Sequence, residues 1–113
     1  MMVDLSCPGR HEVPAWHGSF LVDRVEAGGL SVAKASRLEL RARAPGDSFQ
    51  AGEGRPRRSL KLQFQAKGVA PTLRDGPILC SYGVTAFVPG LGLDARARAA
   101  AGEVQVALAW LPD

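Results

Sequence analysis

Alternation of apolar and polar residues is the main signal in this chain. Phe20 and Val22 alternate with Leu21 and Asp23, and Gly28-Gly29 follows, so the pattern predicts a strand over Trp16–Val25 ended by a turn. Leu30–Ser36 reads as a second short extended piece. Over Ser36–Ala44, Leu38, Leu40 and Ala42 share one face and Arg37, Glu39, Arg41 and Arg43 the other. This predicts a half-buried strand with an arginine-rich outer face, stopped by the Pro45-Gly46-Asp47 turn. Ile78–Tyr82 and Val84–Val88 are rich in strand formers and separated by Gly83, as in a tight hairpin, and Pro89-Gly90 closes it. Leu91–Ala101 reads as a loop with one helical turn. Val104, Val106, Leu108 and Trp110 alternate with Gln105, Ala107 and Ala109 in a last strand.

One segment supports two readings. Leu60, Leu62, Phe64 and Ala66 alternate with Lys61, Gln63, Gln65 and Lys67, which is a strand by period. Yet Ser59 suits a helix N-cap, Gly68 suits the position just past a helix C-terminus, and Leu60 and Phe64 stand four apart. The pattern alone leaves helix and strand both open. Met1–Pro14 carries no periodicity and is punctuated by Pro8-Gly9 and Pro14, so residues 1–13 read as a tail and residues 14–113 as one domain. Five or six short strands with one or two short helices give a small, layered α+β fold class.

Composition narrows the function classes. The 113 residues are 46% hydrophobic and 22% charged, which fits a folded domain and not a disordered one. No apolar run approaches the length of a membrane span, about 18 residues, so a transmembrane reading is out and no membrane partner is expected, although an anionic membrane surface ranks second to nucleic acid as a polyanion for a basic patch. Met1–Arg10 has no basic region followed by an apolar one, and Cys7 and Cys80 make no disulfide framework. Both points lead to the expectation of a reducing, cytoplasmic location.

The net charge is only +3, but it is unevenly placed. Between Arg41 and Lys67 lie Arg41, Arg43, Arg55, Arg57, Arg58, Lys61 and Lys67 against Asp47 and Glu53, a net +5 that leaves −2 on the remainder. Guanidinium is suited to forked phosphate contacts, and a basic patch on a near-neutral body fits a polyanion such as nucleic acid. If Ser59 caps a helix, Arg55, Arg57, Arg58 and Lys61 surround its N-terminus, where backbone N–H groups and the dipole add to the positive field. A solvated basic face is the plainer alternative.

Other chemistry finds little support. Gly52-Glu53-Gly54 and Gly90-Leu91-Gly92 complete neither the dinucleotide nor the P-loop fingerprint. Cys7, His11 and His17 lack a fourth zinc ligand nearby, so no metal is expected. Both histidines are N-terminal and no nucleophile elbow is present, which leaves no catalytic residue to name. Asp47, Asp75 and Asp94 sit at turns, where aspartate usually caps backbone, and Trp16, Trp110, Phe64 and Cys80 take core positions.

Four ordered motifs carry a family resemblance. They are Leu40-Arg41-x-Arg43-x-x-Gly46-Asp47-x-Phe49-Gln50, then Gly54-Arg55-Pro56-x-Arg58-Ser59-Leu60-Lys61-x-x-Phe64-Gln65, then Arg74-Asp75-x-Pro77, and last Phe87-Val88-Pro89-Gly90-Leu91-Gly92-Leu93-Asp94-Ala95-Arg96. The set, from about Leu38 to Trp110, resembles the C-terminal domain of bacterial tRNA(Ile)-lysidine synthases. The resemblance implies a fold similar to a domain of the phenylalanyl-tRNA synthetase β chain, and it favours a helix at Ser59–Lys67. It implies a tRNA-binding accessory role at the acceptor stem of an isoleucine tRNA, with Arg41, Arg43, Arg58, Ser59, Lys61 and Arg74 matching the family's basic motifs. The basic patch adds Arg55, Arg57 and Lys67 to the expected RNA-binding set. ATP and lysine would be used by a catalytic PP-loop domain, of the SGGxDS type, which is absent from this sequence. That domain is then a partner, beside tRNA. The alternative is a structural or dimerisation domain, a homodimer included, with no RNA contact. The sequence departs from the family where a second lysine often follows Lys61: here stands Leu62.

Overall fold

The computed structural model describes all 113 residues. In chain order the strands and helices are β1 (Met2–Val3), β2 (Gly9–Val13), β3 (Gly18–Val25), β4 (Leu30–Ser31), α1 (Val32–Ala35), β5 (Leu38–Arg41), β6 (Ser48–Phe49), β7 (Arg58–Ser59), α2 (Leu60–Lys67), α3 (Pro71–Arg74), β8 (Ile78–Ser81), β9 (Val84–Val88), β10 (Gly92–Leu93) and β11 (Gln105–Pro112). Short 3-10 turns cover Pro14–Trp16 and Ala95–Ala97. The strands form a five-stranded sheet in the order β1-β5-β8-β9-β10, a four-stranded sheet β2-β3-β11-β4 and a two-stranded ribbon β6-β7. This is an α+β domain, with many two-residue strands that alternation does not reveal.

Three layers follow from which faces are apolar. β3 and β11 run antiparallel with Trp110 opposite Phe20 and Leu108 opposite Val22. Their inward side chains meet Leu38, Leu40, Leu79, Ala86 and Phe87 of the larger sheet in the main core. The Phe20 ring lies 5.9 Å from Phe87 in an edge arrangement and 4.9 Å from Trp110. Next to Leu79 in sequence, Ile78 and Cys80 point to the opposite face and join Phe49, Leu60, Phe64, Val69 and Val88 in a second core. The central strand β8 is thus buried on both sides, which is why it reads as an apolar run with no alternation. Each large side chain fully buried this way contributes about 1.5–3 kcal/mol.

The hairpin between β8 and β9 turns at Tyr82-Gly83, both with positive φ (49° and 79°), a geometry glycine supplies at little cost. At the segment open to two readings, the helix wins. The Leu62 N–H donates to Ser59 Oγ (3.3 Å), closing the N-terminus. At the other end Gly68 adopts φ 61°, its N–H donates to Gln65 O, and the Val69 N–H donates to Phe64 O. This double closure is a Schellman motif, and it places Val69 in the same apolar cluster as Phe64. Leu60, Gln63 and Phe64 make the buried stripe, while Leu62 is 54% exposed. The alternation therefore did not mark a sheet face.

Three expectations need correction. Residues 1–13 are not a tail: β1 pairs with β5, β2 pairs with β3, and Leu5 is only 2% exposed. One isolated leucine between Asp4 and Ser6 shows no period, yet it fills the main core. Leu30–Ser36 is extended only at Leu30–Ser31; Ser31 Oγ then accepts from the Lys34 N–H (3.2 Å) and starts α1. Ala42 lies beyond the end of β5 and is exposed rather than on the apolar face. No helix is long and apolar enough to cross a membrane.

Candidate nucleic-acid interface

The basic residues are presented by a loop with a fixed root. Phe49, 1% exposed, seats the β6-β7 ribbon on the second core, where Ser48 pairs with Ser59 and Phe49 with Arg58. Behind it, the Gln50 N–H donates to Asp94 Oδ2 (3.0 Å) and the Ala95 N–H donates to Gln50 O (2.9 Å). Asp94 is fully buried and also accepts from the Arg96 N–H (2.9 Å), Arg96 Nε (2.9 Å) and Arg96 Nη2 (2.7 Å). Burial pushes the Asp94 carboxyl upward, but the Arg96 fork and the two backbone donors outweigh it and hold it below the usual carboxylate range. The segment 51–57 extends from this clip, and Arg58-Ser59 returns directly into α2.

Arg55, Arg57, Arg58, Ser59, Lys61 and Lys67 are all exposed. The domain's two side-chain ion pairs, Arg41–Asp47 and Arg96–Asp94, involve none of these residues. Their charge faces solvent unpaired, near the positive dipole end of α2, whose Leu60 and Leu62 N–H groups are already taken by Asp47 O and Ser59 Oγ. Two grooves flank α2. The larger, about 620 Å³, is lined by Arg55, Arg58 and Lys67 together with Pro56, Leu62 and Ala66. The smaller, about 350 Å³, brings Arg43 and Lys61 together with Asp47 and Ser59.

Arg43 and Arg74 converge on one ring. The Arg43 guanidinium carbon lies 5.4 Å from the Phe64 ring centre and that of Arg74 lies 5.8 Å from it. Arg74 also donates from Nε to Val69 O (2.9 Å), which fixes its fork in place. α3 thus delivers to α2 an arginine that stands ten positions from Phe64 in sequence.

Arg41 has a different environment. It donates from Nη1 to Asp47 Oδ2 (3.0 Å) and from Nη2 to Asp47 Oδ1 (2.7 Å), and Asp47 Oδ2 also accepts from the Ala44 N–H (2.7 Å). The Arg41 fork pulls the Asp47 carboxyl below its ordinary range, and the carboxylate in turn raises Arg41. The pairing neutralises a cation that the sequence groups with the others. Sequence reasoning also missed Leu62 and Gln63 as groove residues; the excess apolar residue on the helix, Leu62, was the available signal.

Near the N-terminus, His11 Nε2 lies 2.7 Å from the Cys7 carbonyl, and His17 sits apart at the end of a 3-10 turn. No three His, Cys, Asp or Glu side chains gather in metal-binding geometry. Cys80 is a buried thiol, pushed up by burial against the opposing pull of Arg41.

Comparison with known proteins bears on the family of the chain. The family model of the TilS substrate C-terminal domain matches residues 38–110, which run from β5 through the basic loop and α2 into β11. A tRNA(Ile)-lysidine synthase of Azoarcus sp. (strain BH72) is 41% identical over 70 residues, covering 61% of this chain and 16% of that protein. One of Nitrosomonas europaea is 35% identical over 76 residues, 66% of this chain and 17% of the relative. One of Burkholderia mallei is 38% identical over 92 residues, 74% of this chain and 19% of the relative. The chain spans less than a fifth of the length of these relatives. With its matched region covering well over half of its length and holding the whole basic surface, this chain belongs to the TilS substrate C-terminal domain family.

Proposed function

We propose that the domain docks the phosphate backbone of tRNA for a tRNA(Ile)-lysidine synthase. The exposed cations Arg55, Arg57, Arg58, Lys61 and Lys67, with Arg43 and Arg74 on the Phe64 ring, form the contact surface, and Ser59 shapes it by capping α2. Arg41 supports the turn beneath through Asp47. The RNA is the acceptor stem of an isoleucine tRNA. ATP and lysine are handled by a catalytic part corresponding to the remaining length of the relatives, in the cytoplasm. The chain itself contributes binding and no chemistry.

One observation carries the reading: Arg55, Arg57, Arg58 and Lys61 lie at or just before the start of α2, Lys67 stands at its other end, Arg43 and Arg74 lie over Phe64, and none has an acidic partner within the domain. A stem of A-form RNA is held largely through backbone and shape, which a preset array of cations serves. The test is a titration of the chain with an isoleucine tRNA and an unrelated tRNA at two salt concentrations. Binding weakens steeply with salt, and Arg58→Ala with Lys61→Ala lowers the log–log slope by roughly 0.7–0.9 for each phosphate that the variant no longer neutralises. Unchanged affinity in the double variant rejects the surface assignment.

A second reading concerns the other end of the larger sheet. Met2 (55% exposed) and Tyr82 (86% exposed) line a shallow pocket with Arg37 and Glu39, beside the exposed Val84. This apolar end suits docking against the catalytic part of the synthase. Tyr82→Ser would then weaken association with a separately supplied catalytic part while leaving tRNA binding by this chain intact.

A further inference from the structure

The larger groove has an apolar lining that phosphate docking does not need. A paired RNA stem hides its base rings in the stack and shows phosphates and sugars. Cations alone would serve such a surface. Here Leu62, 54% exposed, lines the groove with Pro56 and Ala66 among Arg55, Arg58 and Lys67. What carries meaning is not the single exposed leucine but its grouping with Pro56 and Ala66 among three cations, an apolar patch that a stem contact does not use.

Gln63 adds a polar group to the same groove. It is 8% exposed, and its Nε2 donates to Phe49 O at 3.4 Å. That bond orients the carboxamide and leaves its oxygen as an acceptor with no partner inside the domain. The groove therefore combines apolar side chains, an oriented acceptor open to solvent, three cations and no acidic residue, in about 620 Å³. That volume lies within the range of small-ligand sites, roughly 300–1,000 Å³.

We infer that this groove holds an unpaired nucleotide of the bound RNA. The base lies against Leu62, Pro56 and Ala66, its amino edge donates to the Gln63 Oε1, and its phosphates meet Arg55, Arg58 and Lys67. A base face is apolar and its phosphate anionic, and no other single component of RNA matches both features of the groove. The inference rests on the tRNA-docking reading and deepens it: the surface takes a junction of paired and unpaired RNA, with the stem on the cations around the α2 start and the loose nucleotide beside it.

The experiment compares three RNAs at fixed salt: a blunt duplex, the same duplex with a short unpaired adenosine tail, and the same tail without bases. The adenosine tail binds about fivefold tighter than the other two. The ratio of adenosine-tailed to base-free-tailed affinity is the readout, because phosphate attraction cancels in it. Leu62→Ala brings that ratio to about one. Leu62→Lys also removes it while raising affinity for the blunt duplex. Leu62 is exposed, and a circular dichroism melt confirms that both variants are folded.

Equal binding of the two tails overturns the inference, as does an unchanged ratio in Leu62→Ala. Salt-dependent binding of the blunt duplex with no base effect leaves the docking reading standing and removes the nucleotide slot alone. Base-dependent binding of the tail with no binding of the blunt duplex keeps the slot and removes the stem surface.

Discussion

Arg41 and Asp47 face each other across the turn from β5 to β6, joined by two guanidinium–carboxylate hydrogen bonds of 3.0 and 2.7 Å. Asp47 completes the motif by accepting from the Ala44 N–H, so one carboxylate ties a strand end, a turn and a cation together. The pair separates two kinds of arginine in one basic segment: those held within the fold and those left free.

Arg41→Ala is therefore expected to act on stability and not on RNA. The side chains are 31% and 12% exposed, so the destabilisation is modest, about 1 kcal/mol, or a melting temperature lower by about 4–8 °C. The salt slope of RNA binding stays as in the parent chain. A slope that falls by roughly 0.7–0.9 with no change in melting temperature would return Arg41 to the contact surface.

Ser59 has a comparable dual reading, as phosphate ligand or as helix cap. Its Oγ accepts from the Leu62 N–H, and α2 is only eight residues long. Ser59→Ala should cost about 1 kcal/mol and fray the first turn, while Ser59→Asp restores stability as a cap. RNA affinity separates the roles further. The aspartate variant folds like the parent but binds RNA less tightly, since it sets a negative charge among Arg58 and Lys61. Equal RNA affinity for the alanine and parent chains, alongside a lower melting temperature of the alanine variant, would confine Ser59 to capping.

The longer strands were legible for two reasons: β3 and β11 bury one face and alternate, while β8 and β9 are buried on both and read as apolar runs. Ile78–Ser81 and Val84–Val88 also bracket a glycine turn, so pattern and structure coincide there. Two-residue strands such as β4, β6 and β10 exist only through their partners, and no local period marks them. α2 was ambiguous for a physical reason: Leu62 and Ala66 face the groove, so the apolar residues exceed the helix's buried stripe. Charge was visible residue by residue. The pairing of Arg41 with Asp47, and the meeting of Arg43 and Arg74 over Phe64, depend on tertiary geometry that spacing does not encode.

Leu5 tests the place of the first residues in the fold. It is 2% exposed in the main core, and its N–H donates to Ala35 O (2.8 Å), linking the start of the chain to α1. Leu5→Ala is expected to cost about 2–5 kcal/mol, through reduced burial and the cavity left behind. Removal of residues 1–8 should destabilise the domain at least as much, because β1 and its pairing with β5 go too. A melting temperature within a degree or two of the parent in either variant would make these residues an appendage.

The buried Asp94 gives the domain an acid-sensitive clip. Its folded-state pKa is below the unfolded value of about 3.9. The sign follows from proton binding: the unfolded carboxyl takes up a proton first, so ionised Asp94 stabilises the fold fully above about pH 5 and loses that contribution as pH falls through its lower folded value. Asp94→Asn removes the charge under Arg96 and turns an acceptor oxygen into a donor group facing the donors of Gln50 and Arg96. The expected destabilisation near neutral pH is about 3 kcal/mol. Thermal unfolding of both chains across a pH series measures it. The gap in melting temperature is widest near neutrality and narrows toward pH 3; Asp47 titrates in both proteins, so the difference isolates Asp94. A gap that stays constant with pH would mean that the carboxylate charge is not what holds the clip. Because Gln50 is the root of the basic loop, the variant should also speed amide exchange over 50–58 at neutral pH, and weaken tRNA binding without touching a single cation.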